Sequence, residues 1–266
     1  MINDNQYLKL LEWMKHLGNA AVAFSGGVDS TLVLTAARDS LHENVLAFTV
    51  KTPYIPEWEV KEAVLFCKER GIRHQVIHKD MPDEIGKNPE NRCYLCKKQL
   101  FTMLKAEALR QGFDHILDGT NADDSGTYRP GLAALKELGI KSPLFETGIN
   151  KLKVRQRSVS MGLPTADKPS YACLLTRMPY NYEVRNDELE RIEKAEVFLA
   201  SLGFRNSRVR NHKNIARIET DREKMQDFTQ DAVILKVTSY FHDIGYEFVT
   251  LDLDGYRSGS YDKKFK

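Results

Sequence analysis

The chain lacks any run approaching the ~18 consecutive apolar residues that a membrane-spanning helix requires, so it reads as a soluble protein. The opening Met-Ile-Asn-Asp-Asn-Gln has neither the basic cluster nor the apolar core of a secretion signal, which points to the cytoplasm. No charge of one sign dominates. The 39 Lys and Arg stand against 37 Asp and Glu, and a formal net charge of +2 is far below that of a dedicated nucleic-acid binder. Cysteine is scarce as well. Cys67, Cys93, Cys96 and Cys173 are too few for a disulfide framework in 266 residues, so thiols, thiolates or metal ligands in a reducing compartment are expected. Internal repeats and low-complexity tracts are missing. With 42% apolar residues the chain can fill one large core, or a nucleotide-binding domain with a smaller partner.

Short apolar segments alternate with amphipathic ones in the first half. Ala20–Phe24, Asn44–Val50, Gln75–His78 and His115–Asp118 are predicted strands, and Ser30–Ser40, Glu57–Arg70 and Cys96–Gln111 predicted helices. This alternation argues for an α/β fold, a parallel sheet with helices on both faces. A basic helix follows over Thr147–Met161, stopped by Gly162-Leu163-Pro164. Pro164 to Asn181, with three prolines and no period, is the domain boundary, giving domains 1–181 and 182–266. Beyond it, Asp187 and Glu190 form a capping-box pattern for a helix to Leu202 with Ile192, Ala195, Phe198 and Leu199 on its apolar face. Arg208–Asn211, Ala216–Glu219, a helix near Ala232–Ile244 and Phe248–Leu253 complete a small C-terminal α+β domain built on a hairpin.

The most informative local pattern is Ser25-Gly26-Gly27-Val28-Asp29-Ser30, entered from the strand Val22-Ala23-Phe24 and continued as helix by Thr31-Leu32-Val33-Leu34. Two glycines permit close backbone approach, and the first helix turn presents unpaired N–H groups to phosphate oxygens. The Ser25 and Ser30 hydroxyls add donors. Asp29 beside polyphosphate makes sense with Mg²⁺ between them. Gly-Gly alone would be an ordinary turn closing a βα unit, but the whole hexapeptide between strand and helix favours a phosphate loop. It lacks the Gly-Lys-Ser/Thr of P-loop NTPases, so transfer of the γ-phosphoryl group is not the expected chemistry. The hexapeptide resembles the loop of the PP-loop ATP pyrophosphatase superfamily (adenine nucleotide α-hydrolase-like fold), whose members split ATP between its α and β phosphates and adenylate a substrate. Gly119-Thr120-Asn121-Ala122-Asp123-Asp124 resembles that superfamily's downstream nucleotide segment; a helix-capping turn is its other reading.

Cys67 recurs with Val60, Ala63 and Val64 at helical spacing and is expected in the core. Cys93-Tyr94-Leu95-Cys96 instead opens a helix among Asn91, Arg92, Lys97 and Lys98. The helix start and the cations are expected to lower thiolate pKa there. The spacing suits a redox pair, half a zinc site or part of a cluster site, or two unrelated helix cysteines. Cys173 in Lys168-Pro169-Ser170-Tyr171-Ala172-Cys173 is either a loop thiol or a third ligand, one short of the four that hold an ordinary [4Fe–4S] cluster. A three-cysteine cluster would leave one iron open for an exogenous sulfide.

Over the whole chain the sequence resembles the LarE family, ATP-dependent sulfur transferases of nickel-pincer nucleotide (lactate racemase cofactor) biosynthesis. Besides the phosphate loop, Tyr128-Arg129-Pro130-Gly131-Leu132, Arg208-Val209-Arg210, Ile215–Glu219 and Val249–Leu253 look like family segments. The resemblance implies adenylation of a carboxylate of pyridinium-3,5-biscarboxylic acid mononucleotide, loss of pyrophosphate, attack by sulfur and departure of AMP. Ser25, Gly26, Gly27, Asp29, Ser30, Gly119 and Thr120 are then the ATP-site residues, Asp29 and Cys173 the catalytic ones. Cys173 matches the sulfur-donor position. One branch sacrifices that sulfur and leaves dehydroalanine; another holds a [4Fe–4S] cluster on three cysteines, which Cys93, Cys96 and Cys173 match. The Cys-x-x-Cys pair departs from the sacrificial type. Arg208 and Arg210 share one face of a strand and suit an anionic substrate, although charged pairs on a strand are often solvated edge protection. Glu196, Glu219 and Asp227 match acidic positions of the family's substrate or metal site; Glu196 could equally be a surface helix residue. A homo-oligomer is implied, with a small anionic nucleotide and sulfide or another sulfur donor as partners. A PP-loop tRNA thiolase, an amide-forming PP-loop enzyme and a non-catalytic nucleotide or redox sensor are the rival readings.

Overall fold

The computed structural model describes residues 4–126 and 130–257, so Tyr128 and Arg129 of the segment quoted above lie outside the described residues. The chain groups into two units, 1–80 with 91–171, and 81–90 with 172–266. The division at 171/172 falls inside the proline-bearing stretch, upstream of the boundary expected at 181/182. Residues 81–90, inserted between a strand and a helix of the first unit, also belong to the second.

The first unit begins with α1 (Asp4–Lys15), β1 (Ala20–Ala23), α2 (Val28–Leu41), β2 (Val45–Lys51), α3 (Glu57–Glu69) and β3 (His74–His78). Past the short α4 (Asp83–Gly86) of the other unit it continues with α5 (Arg92–Arg110), β4 (Ile116–Leu117), α6 (Pro130–Glu137), α7 (Pro143–Glu146) and α8 (Lys151–Ser160). All pairings in its sheet are parallel, in the order β3-β2-β1-β4. Side-chain alternation explains why both faces are covered. Ala20, Val22, Val45 and Ala47 enter one core with Leu10, Met14, Leu34, Phe66 and Val154, whereas Ala21, Leu46 and Phe48 enter another with Phe101, Leu104 and Leu135. Cys67 is in the first core, as its spacing predicted. After β3 the chain returns to the far side of β1. The loops leaving β1 and β4 thus meet where the strand order reverses, the place at which open α/β sheets build their sites.

Alongside α4, the second unit contains α9 (Asn186–Ser201), β5 (Arg208–His212), β6 (Ile215–Glu219), α10 (Met225–Phe228), α11 (Asp231–Asp243) and β7 (Phe248–Leu251). β5 and β6 form the predicted hairpin, pairing Arg208 with Glu219 and Arg210 with Arg217; β7 adds in parallel to β6. Phe204, Val209, Ile218, Phe228 and Phe241 fill its core with Ala195 and Leu199 of α9. The cap of α9 differs from the expected one. The helix starts at Asn186, and the backbone N–H of Arg185 donates to Glu188 at 3.2 Å, so Glu188, not Glu190, closes the box.

The N-terminal helix α1 is integral to the first unit. Leu10 and Met14 are fully buried, and Tyr7 donates to Asp39 of α2 at 3.0 Å. Replacing Leu10 with Ala should therefore cost ~2–5 kcal/mol in urea unfolding; a loss below ~1 kcal/mol, the size of a surface substitution's effect, would contradict this packing.

Candidate functional site

The phosphate-loop candidates sit at the C-terminal end of β1. Gly26 has φ +71°, a left-handed conformation that glycine adopts without strain, and a Cβ there would stand 3.5 Å from the Ala63 Cβ and the Glu59 carbonyl of α3. Gly27 caps α2 without a side-chain hydrogen bond, so no side chain takes up the first-turn N–H groups there. The serine hydroxyls organise the loop: Ser25 and Ser30 lie 3.1 Å apart, and Ser30 also donates to the Gly27 carbonyl at 3.1 Å. Gly119, leaving β4, completes the cradle. A Cβ there would lie 2.9 Å from the Ser30 nitrogen and 3.3 Å from the Asp29 Cβ, so any larger residue would force the two loops apart. Thr120 turns its hydroxyl onto Asp118, whose other oxygen accepts from Ser142 at 2.6 Å.

Asp29 is held by Asn121, from the downstream segment 119–124, and by Lys151, which lies outside both motifs. Lys151, first residue of α8, forms an ion pair with its carboxylate, and Asn121 Nδ2 donates to it at 3.2 Å. The backbone of Lys151 is fixed in turn, because its N–H donates to Asp123 at 3.0 Å and Asn150 caps the helix through the Lys153 N–H. A second lysine, Lys168, donates to the Gly26 carbonyl at 3.0 Å. The loop thus gathers helix-terminal N–H groups, two ammonium groups and a carboxylate, which together can bind a polyphosphate and meet a divalent cation. Lys151 had one sequence signal, its place one residue after an Asn N-cap. Lys168 had none.

Cys93 and Cys96 occupy the first turn of α5 three residues apart, Cys93 exposed and Cys96 half-buried. The expected lowering of thiol pKa fails at Cys96. Burial raises it, and this outweighs the Tyr54 hydroxyl 3.4 Å away and the charge of Lys97. Gly131 of α6 approaches the Cys93 carbonyl so closely that a Cβ would stand 3.3 Å from it. Among the described residues, no group of three or more His, Cys, Asp or Glu is arranged to hold a metal ion.

Cys173 heads a 3-10 turn, Leu174–Arg177, in the second unit. Arg177 is 1% exposed and organises this turn. Its Nη1 donates to the carbonyls of Ala172 at 2.8 Å and Cys173 at 3.3 Å, while Nε and Nη2 grip both oxygens of Glu196 at 2.9 and 2.8 Å. Glu196 also accepts from the Val209 N–H at 2.8 Å. It is thus a buried partner within the protein, not a surface helix residue. Burial pushes the Glu196 carboxyl up, against the charges of Arg208 and Arg210 and the Val209 N–H, and pushes the Arg177 guanidinium down, a shift to which the charges of Arg208 and Arg210 add. Removing one partner would strand the other at a cost of ~3–5 kcal/mol. Arg210 is buried too, donating to Glu219 at 2.6 Å and to the Thr176 carbonyl at 2.6 Å. Arg208 donates to the Ser207 carbonyl and lies 5.0 Å over the Tyr256 ring, so neither arginine is solvated edge protection. Asp227 stands apart from this network, pairing with Lys224 on the surface at 3.0 Å. Arg177 had no sequence signal, being an isolated arginine in an aperiodic loop.

The thiol environments predict an order of reactivity. Burial pushes Cys67 up to about 12 and raises Cys96, so at neutral pH each carries less thiolate than an ordinary cysteine. In metal-free protein, iodoacetamide should label Cys93 before Cys96, with Cys67 inert until the chain unfolds. Peptide mass spectrometry over a time course checks this, and Cys96 reacting first would contradict it.

Comparison with known proteins sets this geometry in a family. Residues 14–133, spanning β1 to β4, match the asparagine synthase family model. A protein of Synechocystis sp. whose role is uncharacterized is 42% identical, over 98% of each chain. An uncharacterized protein of Methanocaldococcus jannaschii is 36% identical over 89% of this chain and 90% of its own. The pyridinium-3,5-bisthiocarboxylic acid mononucleotide synthase of Lactiplantibacillus plantarum is also 36% identical, over 94% of this chain and 91% of its own. No helix among the described residues is long and apolar enough to cross a membrane. With a PP-loop α/β sheet, glycines where β1 and β4 meet α2, and agreement along nearly its whole length with that synthase, the chain belongs to the LarE family of ATP-dependent sulfur transferases.

Proposed function

We propose that this protein uses ATP to convert a carboxylate of pyridinium-3,5-biscarboxylic acid mononucleotide into a thiocarboxylate. The observation that carries the reading is the near full-length similarity to a synthase of the bisthiocarboxylic product, in a chain whose β1–α2 junction has the backbone of a phosphate loop. Ser25, Gly26, Gly27 and Ser30 receive the ATP phosphates, with Gly119 and Thr120 on the opposing loop. Asp29 would hold the Mg²⁺ that accompanies the nucleotide, and Lys151, which pairs with that carboxylate, would add a positive charge beside the phosphates. A substrate carboxylate oxygen bonds to the α-phosphorus as the bond to the β-phosphate oxygen breaks and pyrophosphate leaves. Sulfur then bonds to the acyl carbon, and AMP departs with the carboxylate oxygen.

For sulfur delivery the family resemblance supports a [4Fe–4S] cluster, and Cys93 and Cys96, one helical turn apart on α5, and Cys173, at the head of its 3-10 turn, are the residues that would hold it. When bound, the cluster supplies a site that holds sulfide as a nucleophile. Arg177 fixes the Cys173 backbone, and α5 fixes Cys93 and Cys96. The competing course uses Cys173 itself: its sulfur attacks the acyl adenylate, AMP leaves, and loss of the Cα proton with cleavage of the Cβ–S bond yields thiocarboxylate and dehydroalanine. Arg208 and Arg210 are proposed to hold the anionic substrate, and Asp227 to serve as the acidic position of the substrate or metal site that the resemblance implies. Glu196 serves through its grip on Arg177 and β5. The reading places the protein in the cytoplasm, as a homo-oligomer.

One experiment tests both levels. Anaerobically purified protein given ATP, Mg²⁺, sulfide and the biscarboxylic mononucleotide should release pyrophosphate and keep its intact mass, while Asp29→Asn should lose pyrophosphate release by ~10²-fold or more. A mass loss equal to one hydrogen sulfide, the change from cysteine to dehydroalanine, would establish the sacrificial course and exclude the cluster. Failure of the wild type to release pyrophosphate with this substrate would refute the function.

A further inference from the structure

The segment leading to Cys173 is fastened to the phosphate loop at one side chain. Lys168 extends its ammonium to the Gly26 carbonyl at 3.0 Å and to Glu62 of α3 at 2.7 Å, 4.9 Å above the ring of Trp58. Its side chain is only 12% exposed, so this is not a loose surface contact. Arg155 of α8 secures the same segment by its backbone, donating to the carbonyls of Ala166 at 2.7 Å and Lys168 at 2.9 Å. Tyr171 packs edge-on against Trp58, with ring centroids 5.1 Å apart.

The carbonyl that Lys168 holds matters for the loop. A peptide's C=O and N–H point in opposite directions. Holding the Gly26 oxygen on the Lys168 side therefore presents the Gly27 N–H to the other side, towards Ser25 Oγ at 3.4 Å. Gly26 and Gly27 both lack a Cβ, so little steric resistance opposes rotation of the peptide between them. Rotation would aim a carbonyl oxygen at the anion that the loop is proposed to bind. Lys168 supplies the missing restraint through a charge-assisted hydrogen bond in a largely buried setting.

We propose that Lys168 is a positioning residue that locks the Gly26–Gly27 peptide and ties nucleotide occupancy to residues 166–171, which run into Cys173. The proposal rests on ATP binding at the phosphate loop. An anion bound against the locked peptide changes the field at the Lys168 ammonium, and with it the surroundings of the Trp58 ring 4.9 Å away.

The chain's two tryptophans, Trp13 and Trp58, make the tether observable. In full-length Trp13→Phe protein, saturating α,β-methylene-ATP with Mg²⁺ should change Trp58 emission, while calorimetry on the same sample measures affinity. Adding Lys168→Met should raise the dissociation constant ~10-fold and abolish the Trp58 response at saturation. Lys168→Arg, which keeps a cationic donor, should recover part of it. A response of full size in Lys168→Met, or no response in the parent despite measured binding, would overturn the tether while leaving the nucleotide site intact. Absence of binding to the parent would overturn the nucleotide reading and the tether with it.

Discussion

The contact on which the site depends is the approach of two backbones, Gly119 after β4 and the first turn of α2 after β1. At 2.9 Å from the Ser30 nitrogen, the position of a Cβ on residue 119 is already occupied, so the contact requires glycine. The sheet order makes it possible, since β4 returns beside β1 instead of extending the sheet past β3. Small side chains on β1, Ala-Ala-Val-Ala, let both layers of helices come close to that strand. The junction gathers two loops, an uncapped helix terminus and the Asp29 carboxylate, and Lys151 and Asn121 neutralise and orient that carboxylate. Nucleotide chemistry needs this concentration of donors around a developing charge, fixed before the substrate arrives.

The second unit is built differently. Its hairpin buries Arg208 and Arg210 on β5 together with Glu219 on β6, and Arg177 and Glu196 form a second buried pair beside them. Buried ion pairs contribute little net stability, because desolvation offsets their attraction. Their geometric content is larger. Arg177 has one planar group and uses it to fix two consecutive carbonyls at Ala172 and Cys173 and both oxygens of Glu196, so the backbone of Cys173 is set by a fork that lysine could not supply.

Periodicity made the parallel sheet legible, and the hexapeptide located the junction, since strand, glycines and helix are contiguous in sequence. Helix α1 is equally legible in Tyr7, Leu10, Leu11 and Met14 at spacings of three, four and seven. Lys151, Lys168 and Arg177 were not legible as site residues. Each acts through a contact remote in sequence or with a backbone carbonyl, and carbonyls carry no residue signature. The insertion of residues 81–90 into the second unit was hidden for the same reason: Asn88 is buried there by donating to the carbonyls of Met178 and Pro179, far along the chain. At Cys96 the local cations suggested a low pKa, and burial by the rest of α5's surroundings reversed it.

The central claim is that ATP is split between its α and β phosphates to activate a carboxylate. Turnover with substrate carrying ¹⁸O in the reacting carboxylate tests it most directly. The account predicts AMP bearing one ¹⁸O, because that oxygen becomes the bridge to phosphorus and leaves with it when sulfur enters. Unlabelled AMP, or label in inorganic phosphate alongside ADP, would contradict it.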